Sequence, residues 1–155
     1  MPSNDCILEN PMTTTLPNPA YHPEFYDSVA PKRAIAWVID TVAIAILCLL
    51  IIPFTAFTAL FFLPFLFLVV GFVYRVITIA AGSGTWGMRM MALELRDQDG
   101  RRLDFGQAFL HTLGYTLSIG MVLIQVVSVV LMLSTERGQS LTDMVLGTVM
   151  LNRRA

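Results

Sequence analysis

Between Asp40 and Arg75 run 34 consecutive uncharged residues, Thr41 to Tyr74. As one helix that run would extend about 50 Å, against a hydrocarbon core of about 30 Å, so it predicts two membrane passes. Pro53 lacks an N–H and disfavours helix immediately before it, which makes it the break. The spans are placed at about residues 34–52 and 56–80, with Pro64 and Gly71 tolerated inside the second and able to kink it. A third uncharged run, Phe105–Thr135, would measure about 46 Å as a helix. That is long for one span and too short for two. Residues 107–134 are therefore read either as an interfacial helix leading into one span or as a re-entrant pair bent near Gly114–Gly120.

The arginines orient these segments. Lys32 and Arg33 abut the first span, none lies near the Pro53 turn, and Arg89, Arg96, Arg101 and Arg102 follow the second. The positive-inside bias puts the N-terminus and the loop over residues 82–105 in the cytoplasm. Arg137, Arg153 and Arg154 ask the same of the segment over 137–152, which favours the bent reading, because a single crossing would export all three. Within the loop, Leu93-Glu94-Leu95-Arg96 alternates apolar and charged residues as a half-buried strand does. Asp99-Gly100 is a two-residue hairpin turn that would set Asp97 opposite Arg102. Thr148-Val149-Met150-Leu151 has strand composition and could add a third strand.

Composition agrees with a membrane class: of 155 residues 55% are apolar and only 14% charged, far below the quarter usual for soluble domains. Ten Lys and Arg against eleven Asp and Glu leave no basic excess for nucleic acid. Residues 1–31 hold six of the eight prolines among Ser, Thr and Asn. They are expected to be a disordered tail rather than a secretory signal. Residues 32–152 then form the membrane domain. Cys6 in the tail and Cys48 in the first span are not expected to meet.

The informative charges are those near apolar surroundings. Asp40 lies two turns beyond Arg33 on nearly the same helix face. An aspartate within a span costs on the order of 3 kcal/mol near the centre, so it requires protein, water or a partner around it. It reads either as an ion or proton site or as half of a structural ion pair. If the first turn covers roughly Pro53–Phe57, Arg75 returns to the depth of Asp40, and an Arg33–Asp40–Arg75 cluster follows. Arg33 also suits a snorkelling anchor at the span boundary. Asp143 fits a capping box begun by Ser140, a local role that already accounts for it; a functional role requires it to approach Arg33 or Arg75. His22 and the lone His111 have no second ligand at metal spacing. Gly82-Ser83-Gly84-Thr85-Trp86-Gly87 lacks the lysine of a phosphate loop. With no nucleophile–base pair either, an enzyme is not expected, and no cofactor or metal.

With Arg33, Asp40 and Asp143 singled out, the chain resembles the RDD family of small bacterial membrane proteins, named for one arginine and two aspartates. The matching segments are Lys32-Arg33-Ala34-Ile35-Ala36-Trp37-Val38-Ile39-Asp40, then Gly84-Thr85-Trp86-Gly87-Met88-Arg89 with Leu93–Gly100 after it, and Arg137-Gly138-Gln139-Ser140-Leu141-Thr142-Asp143 running into Gly147-Thr148-Val149. They follow in the family's order over about residues 30–152. Two positions depart from it: Met88 stands where a lysine is frequent, and His111 where many members carry an arginine. The resemblance implies an integral bacterial membrane protein of a family for which transport is proposed; the residue pattern adds an α-helical two-span hairpin, a third long or re-entrant segment and a small cytoplasmic β-hairpin, in the bacterial inner membrane.

Two functional readings follow. In one, the protein transports a small ion or solute, for instance by cation/proton exchange, with Asp40 as the binding group, Arg33 and Arg75 tuning it and Asp143 at the cytoplasmic mouth. So few spans can enclose a pathway only as a homo-oligomer. In the other, the charges are structural ion pairs of a non-transporting accessory or assembly protein, which docks a membrane partner through the loop around Arg101. Both place the chain in the lipid bilayer.

Overall fold

The computed structural model describes residues 16–56 and 58–153. Two long helices dominate it. Helix α1 spans Val29–Ile51 and α2 spans Leu63–Gly82. With the 3-10 turns that adjoin them, both are long and apolar enough to cross a membrane, and only 28% and 22% of their most apolar stretches are buried. Ile35, Val42, Ile46 and Leu49 on α1, with Phe65, Leu68, Val73 and Ile77 on α2, all face outward. Such extensive apolar exposure matches a lipid solvent rather than water.

The connection between the helices differs from the expected single break. Residues Ile52–Thr55 and Thr58–Phe62 form two 3-10 turns, with Ala56 between them at φ 49°. Pro53 sits at the start of the first turn. Pro64, expected to kink the second span, instead occupies the first turn of α2. There its missing N–H costs no helical hydrogen bond.

A short helix, α3 (Trp86–Met90), leads into strand β1 (Leu93–Arg96). After the loop come α4 (Phe105–Gly120), α5 (Val122–Ser134), α6 (Leu141–Leu146) and strand β2 (Val149–Asn152). Helices α4 and α5 meet at Met121 with a bend of 117°. At 1.5 Å per residue each is about 20–24 Å long, short of the hydrocarbon core. The bent alternative therefore describes the third segment, and the break falls just past Gly120. Because α5 doubles back, β2 returns to β1 and pairs with it antiparallel, Leu93 opposite Asn152 and Arg96 opposite Val149.

The sheet thus has two strands, and the expected hairpin at Asp99-Gly100 contributes only an isolated bridge between Arg96 and Arg102. Asp97 faces Arg101 rather than Arg102: its N–H donates to the Arg101 carbonyl at 3.1 Å. The loop has three residues, not two, because Gly100 takes φ 71° after a turn closed by its own N–H on the Asp97 carbonyl. The Asp97 carboxylate accepts from the Asp99 and Arg101 N–H groups and holds that geometry.

Leu93 and Leu95 face a core with Val29, Ile79, Leu103, Ala108 and Met150, while Glu94 and Arg96 lie on the other side of β1. Strand β2 is buried on both faces. Its second cover comes from residues expected to belong to a disordered tail: Leu16 and Tyr26 pack on Val149 and Leu151. The Asn152 amide donates to the carbonyls of Glu24 and Asp27, and Lys32 donates to its side-chain oxygen at 2.7 Å. Residues 1–15 of the expected tail, with Cys6, lie outside the described residues. Cys48 is a free, buried thiol.

Candidate functional site

The two aspartates of the expected site sit in separate, fully partnered environments. Asp143 is fully buried at the third position of α6, where Ser140 caps the helix. The capping box is complete: the Ser140 N–H donates to Asp143 Oδ2 at 3.0 Å and the Asp143 N–H donates to Ser140 Oγ at 3.3 Å. The same carboxylate also joins distant segments. Arg33 Nη1 donates to Oδ2 at 2.6 Å and to the Gly138 carbonyl at 3.2 Å. His111 Nε2 lies 2.8 Å from Oδ1, which also accepts from Thr148 Oγ1 at 3.2 Å. One carboxylate therefore clasps α1, α4, α6 and the approach to β2. Burial alone would raise its pKa; the Arg33 charge, with the hydrogen bond and charge of His111, overrides this and holds it well below the usual carboxylate range.

Asp40, only 1% exposed, has a different set of partners. Tyr74 Oη and the Gly87 N–H each donate to Oδ1 at 2.9 Å, and Thr85 Oγ1 donates to Oδ2. These donors come from α2 and from the entry to α3, so Asp40 ties the first three helices together. Thr85 is also the N-cap of α3, accepting from the Met88 N–H at 3.3 Å. Gly87 approaches α1 so closely that a Cβ there would collide with the Ala36 carbonyl oxygen.

The expected Arg33–Asp40–Arg75 cluster does not form. Arg33 pairs with Asp143, and no ion pair to Asp40 exists among the described residues. The hairpin does bring the neighbour of Arg75, Tyr74, to the level of Asp40, as the turn geometry requires. Arg75 itself points to α4, its guanidinium carbon 4.4 Å from the centre of the Tyr115 ring. Tyr115 Oη in turn accepts from Trp37 Nε1 at 2.6 Å.

Between α1, α2, α4 and α5 lies a cavity of about 540 Å³. Arg33, Trp37, Asp40, Arg75, His111 and Tyr115 all contribute to its lining, whereas Asp143 stands behind Arg33 and His111. Three of the four expected site residues thus share one cavity without touching one another.

Sequence reasoning passed over His111, Tyr74, Thr85 and Tyr115. A signal for two of them was present: along residues 105–120, which lack charge, His111, Tyr115 and Ser118 recur at helical spacing and form one polar stripe. The glycine-rich segment rejected as a phosphate loop carries Thr85 and Gly87, whose role is to donate to an aspartate rather than a phosphate. Neither a curated protein nor a solved structure gives a match to the chain. The family model described as the RDD family matches residues 29–147. That stretch contains Arg33, Asp40 and Asp143 and most of the chain, which therefore belongs to the RDD family.

Proposed function

We propose that this is a multi-pass protein of a bacterial inner membrane that holds a small solute in the cavity between α1, α2, α4 and α5. The arginine and two aspartates then serve as clasps that shape the cavity, rather than as groups that exchange ions. The observation that carries this reading is the coexistence of a 540 Å³ cavity at the junction of the helices with two carboxylates whose oxygens are already occupied. A cation at Asp40 would have to share Oδ1 with two donors and Oδ2 with a third, in a shell where Tyr74, Thr85 and Gly87 all direct hydrogens at the carboxylate. The cation/proton-exchange form of transport is therefore not the form the geometry favours.

The positive-inside rule orients the molecule. Arg89, Arg96, Arg101 and Arg102 cluster around the sheet end, where Lys32, Arg33 and Arg153 also lie, so this end is cytoplasmic, with the N-terminus and the return from α5. A fluorescent protein fused after Arg153 should fluoresce in cells, and alkaline phosphatase at the same point should stay inactive; active phosphatase would place the C-terminus outside and remove this topology.

Two spans and a bent third segment from one chain are too few to enclose a pathway, so passage of a solute across the bilayer requires a homo-oligomer. The loop at Arg101 remains the surface through which a membrane partner would dock in an accessory role. Access to the cavity tests the solute reading directly. In a Cys6→Ser/Cys48→Ala background, Ser118→Cys at the cavity wall should be alkylated by N-ethylmaleimide much faster than Leu95→Cys in the core beneath the sheet. A thiol reacts as thiolate, which forms where water reaches it. Equal, slow rates at both positions would mean that no solute enters, and would favour the accessory role.

A further inference from the structure

Among the described residues, Arg75 is the arginine of the cavity that has neither an ion pair nor a hydrogen-bond acceptor. It is 91% buried, yet among the described residues no carboxylate lies within ion-pair distance and no oxygen accepts from its guanidinium. The guanidinium packs over the face of Tyr115, which orients the group but satisfies none of its N–H donors. One turn before Tyr115 on α4, Thr112 lines the same cavity. It is 1% exposed, and its hydroxyl also lacks a partner. An unpaired buried hydroxyl is costly, and together with a guanidinium that no oxygen satisfies on the same cavity wall it points to an acceptor that comes from outside the chain.

The other charges define what that acceptor is. Arg33 and His111 are committed to Asp143, and Asp40 is held by the neutral donors Tyr74, Thr85 and Gly87. The one cationic group left free to pair is therefore the Arg75 guanidinium fork, which matches a single carboxylate in a bidentate pair, whereas a dianionic phosphate would add a second negative charge beside Asp40 with no cation to meet it. Away from these donors most of the wall surface is apolar, with Val38, Ile79, Val129 and Met132 among its residues and Ser118, Gln125 and Ser128 as neutral polar members. Its volume lies within the roughly 300–1,000 Å³ of sites for small organic ligands. We infer that the cavity binds an organic monocarboxylate, its head on Arg75 and Thr112 and its apolar body along the wall. This rests on the reading of the cavity as a solute chamber and names the class of solute.

Trp37 lines the cavity and provides the readout, once Trp86→Phe leaves it as the sole tryptophan. In nanodiscs of zwitterionic lipid, ω-bromoundecanoate should quench Trp37 saturably. Half-saturation should come at least about tenfold below that of the neutral ω-bromoundecanol, the worth of one charge-assisted hydrogen bond. Arg75→Gln should remove that preference. Thr112→Val, which breaks no bond within the protein, should weaken carboxylate binding roughly threefold with the helical circular dichroism unchanged. This second variant decides the matter where Arg75→Gln fails to fold; unchanged affinity there would overturn the two-donor site. Displacement of the quencher by benzoate supports a ring acid arriving from water, and displacement by undecanoate alone supports a membrane-borne fatty acid. Saturation at equal concentrations of acid and alcohol overturns the carboxylate head while leaving the chamber standing. Linear quenching by both overturns the proposal, and alkylation of Ser118→Cys then shows separately whether the chamber itself is accessible.

Discussion

Replacing Arg33 by methionine should destabilise the folded protein by about 3–5 kcal/mol, the cost of removing one partner from a buried ion pair. The size of the effect follows from what is left behind. Asp143 is fully buried, and Arg33 approaches it at 2.6 Å with little exposure of its own. Without the guanidinium, the carboxylate keeps His111, Thr148 and the Ser140 N–H, but no permanent charge. Arg33 also bonds the Gly138 carbonyl, so the approach to α6 loosens as well. Lysine should not restore stability fully, because a single ammonium replaces a planar group that reaches both acceptors.

The deficit should depend on pH, and its sign can be worked out. In the native protein the Asp143 pKa lies below its ordinary 3.8. The stability this group contributes is then complete above about pH 4–5 and is lost only as the pH falls below its unfolded value. In Arg33→Met the burial that tends to raise the pKa loses its main opponent. The ionised form now destabilises, most strongly at neutral pH, and protonation of Asp143 relieves it. Equilibrium unfolding in a denaturing detergent should therefore show a larger deficit at pH 7 than at pH 5. In Arg33→Met/Asp143→Asn, which buries no charge at the clasp, roughly half or more of the loss should return. A deficit under about 1 kcal/mol at pH 7 would mean that the clasp is not what holds α1 to α6.

Gly87→Ala should be the second most damaging change, at about 2–5 kcal/mol, although it adds a single methyl group. The new Cβ would collide with the Ala36 backbone oxygen and come 3.0 Å from Asp40 Cγ. Backbone in the middle of α1 cannot yield as the end of a flexible side chain can, so α3 must move away. Overpacking of this kind costs roughly 1–3 kcal/mol. Moving α3 also withdraws the Gly87 N–H from Asp40 and pulls Thr85 from the same carboxylate, leaving buried groups unsatisfied at about 1–3 kcal/mol each. Gly84→Ala is the internal control. Its Cβ would meet nothing nearer than 3.4 Å, an ordinary contact, and it should cost under about 1 kcal/mol. The same unfolding titration compares the two, and equal costs would remove the close approach as the reason for glycine at position 87.

Much of the architecture follows from the chain because its causes are local. A run of 34 uncharged residues exceeds one bilayer crossing, and a proline within it leaves few places for the break. The alternation in Leu93–Arg96 gives a half-buried strand, and the Ser140–Asp143 spacing gives a cap. The pairing of charges was not legible in the same way. Arg33 and Asp40 share a helix face, and that proximity suggested a cluster. Yet Asp143, 110 residues away in sequence, captures the arginine. His111, dismissed for lack of a second ligand, is the second partner of that carboxylate. The hairpin register slipped by one position because a three-residue loop ending on Gly100 competes with the two-residue one, and Asp97 stabilises the former with its side chain.

What the amino-acid sequence determined by itself is the class and the order of the parts: a membrane protein, a helical hairpin, a charged loop with one strand, a third apolar segment too long for one crossing and too short for two, and the three family residues. These depend on transfer energies and backbone preferences that act within a few residues. The tertiary structure alone decided which charges meet and where the cavity opens. The 117° bend at Met121 turns α5 back toward the sheet and carries Asp143 to Arg33 and His111. The same packing of α4 on α2 sets Arg75 over Tyr115 rather than beside Asp40. Such pairings depend on the angle at which whole helices return to one another, a quantity to which no short stretch of sequence is sensitive.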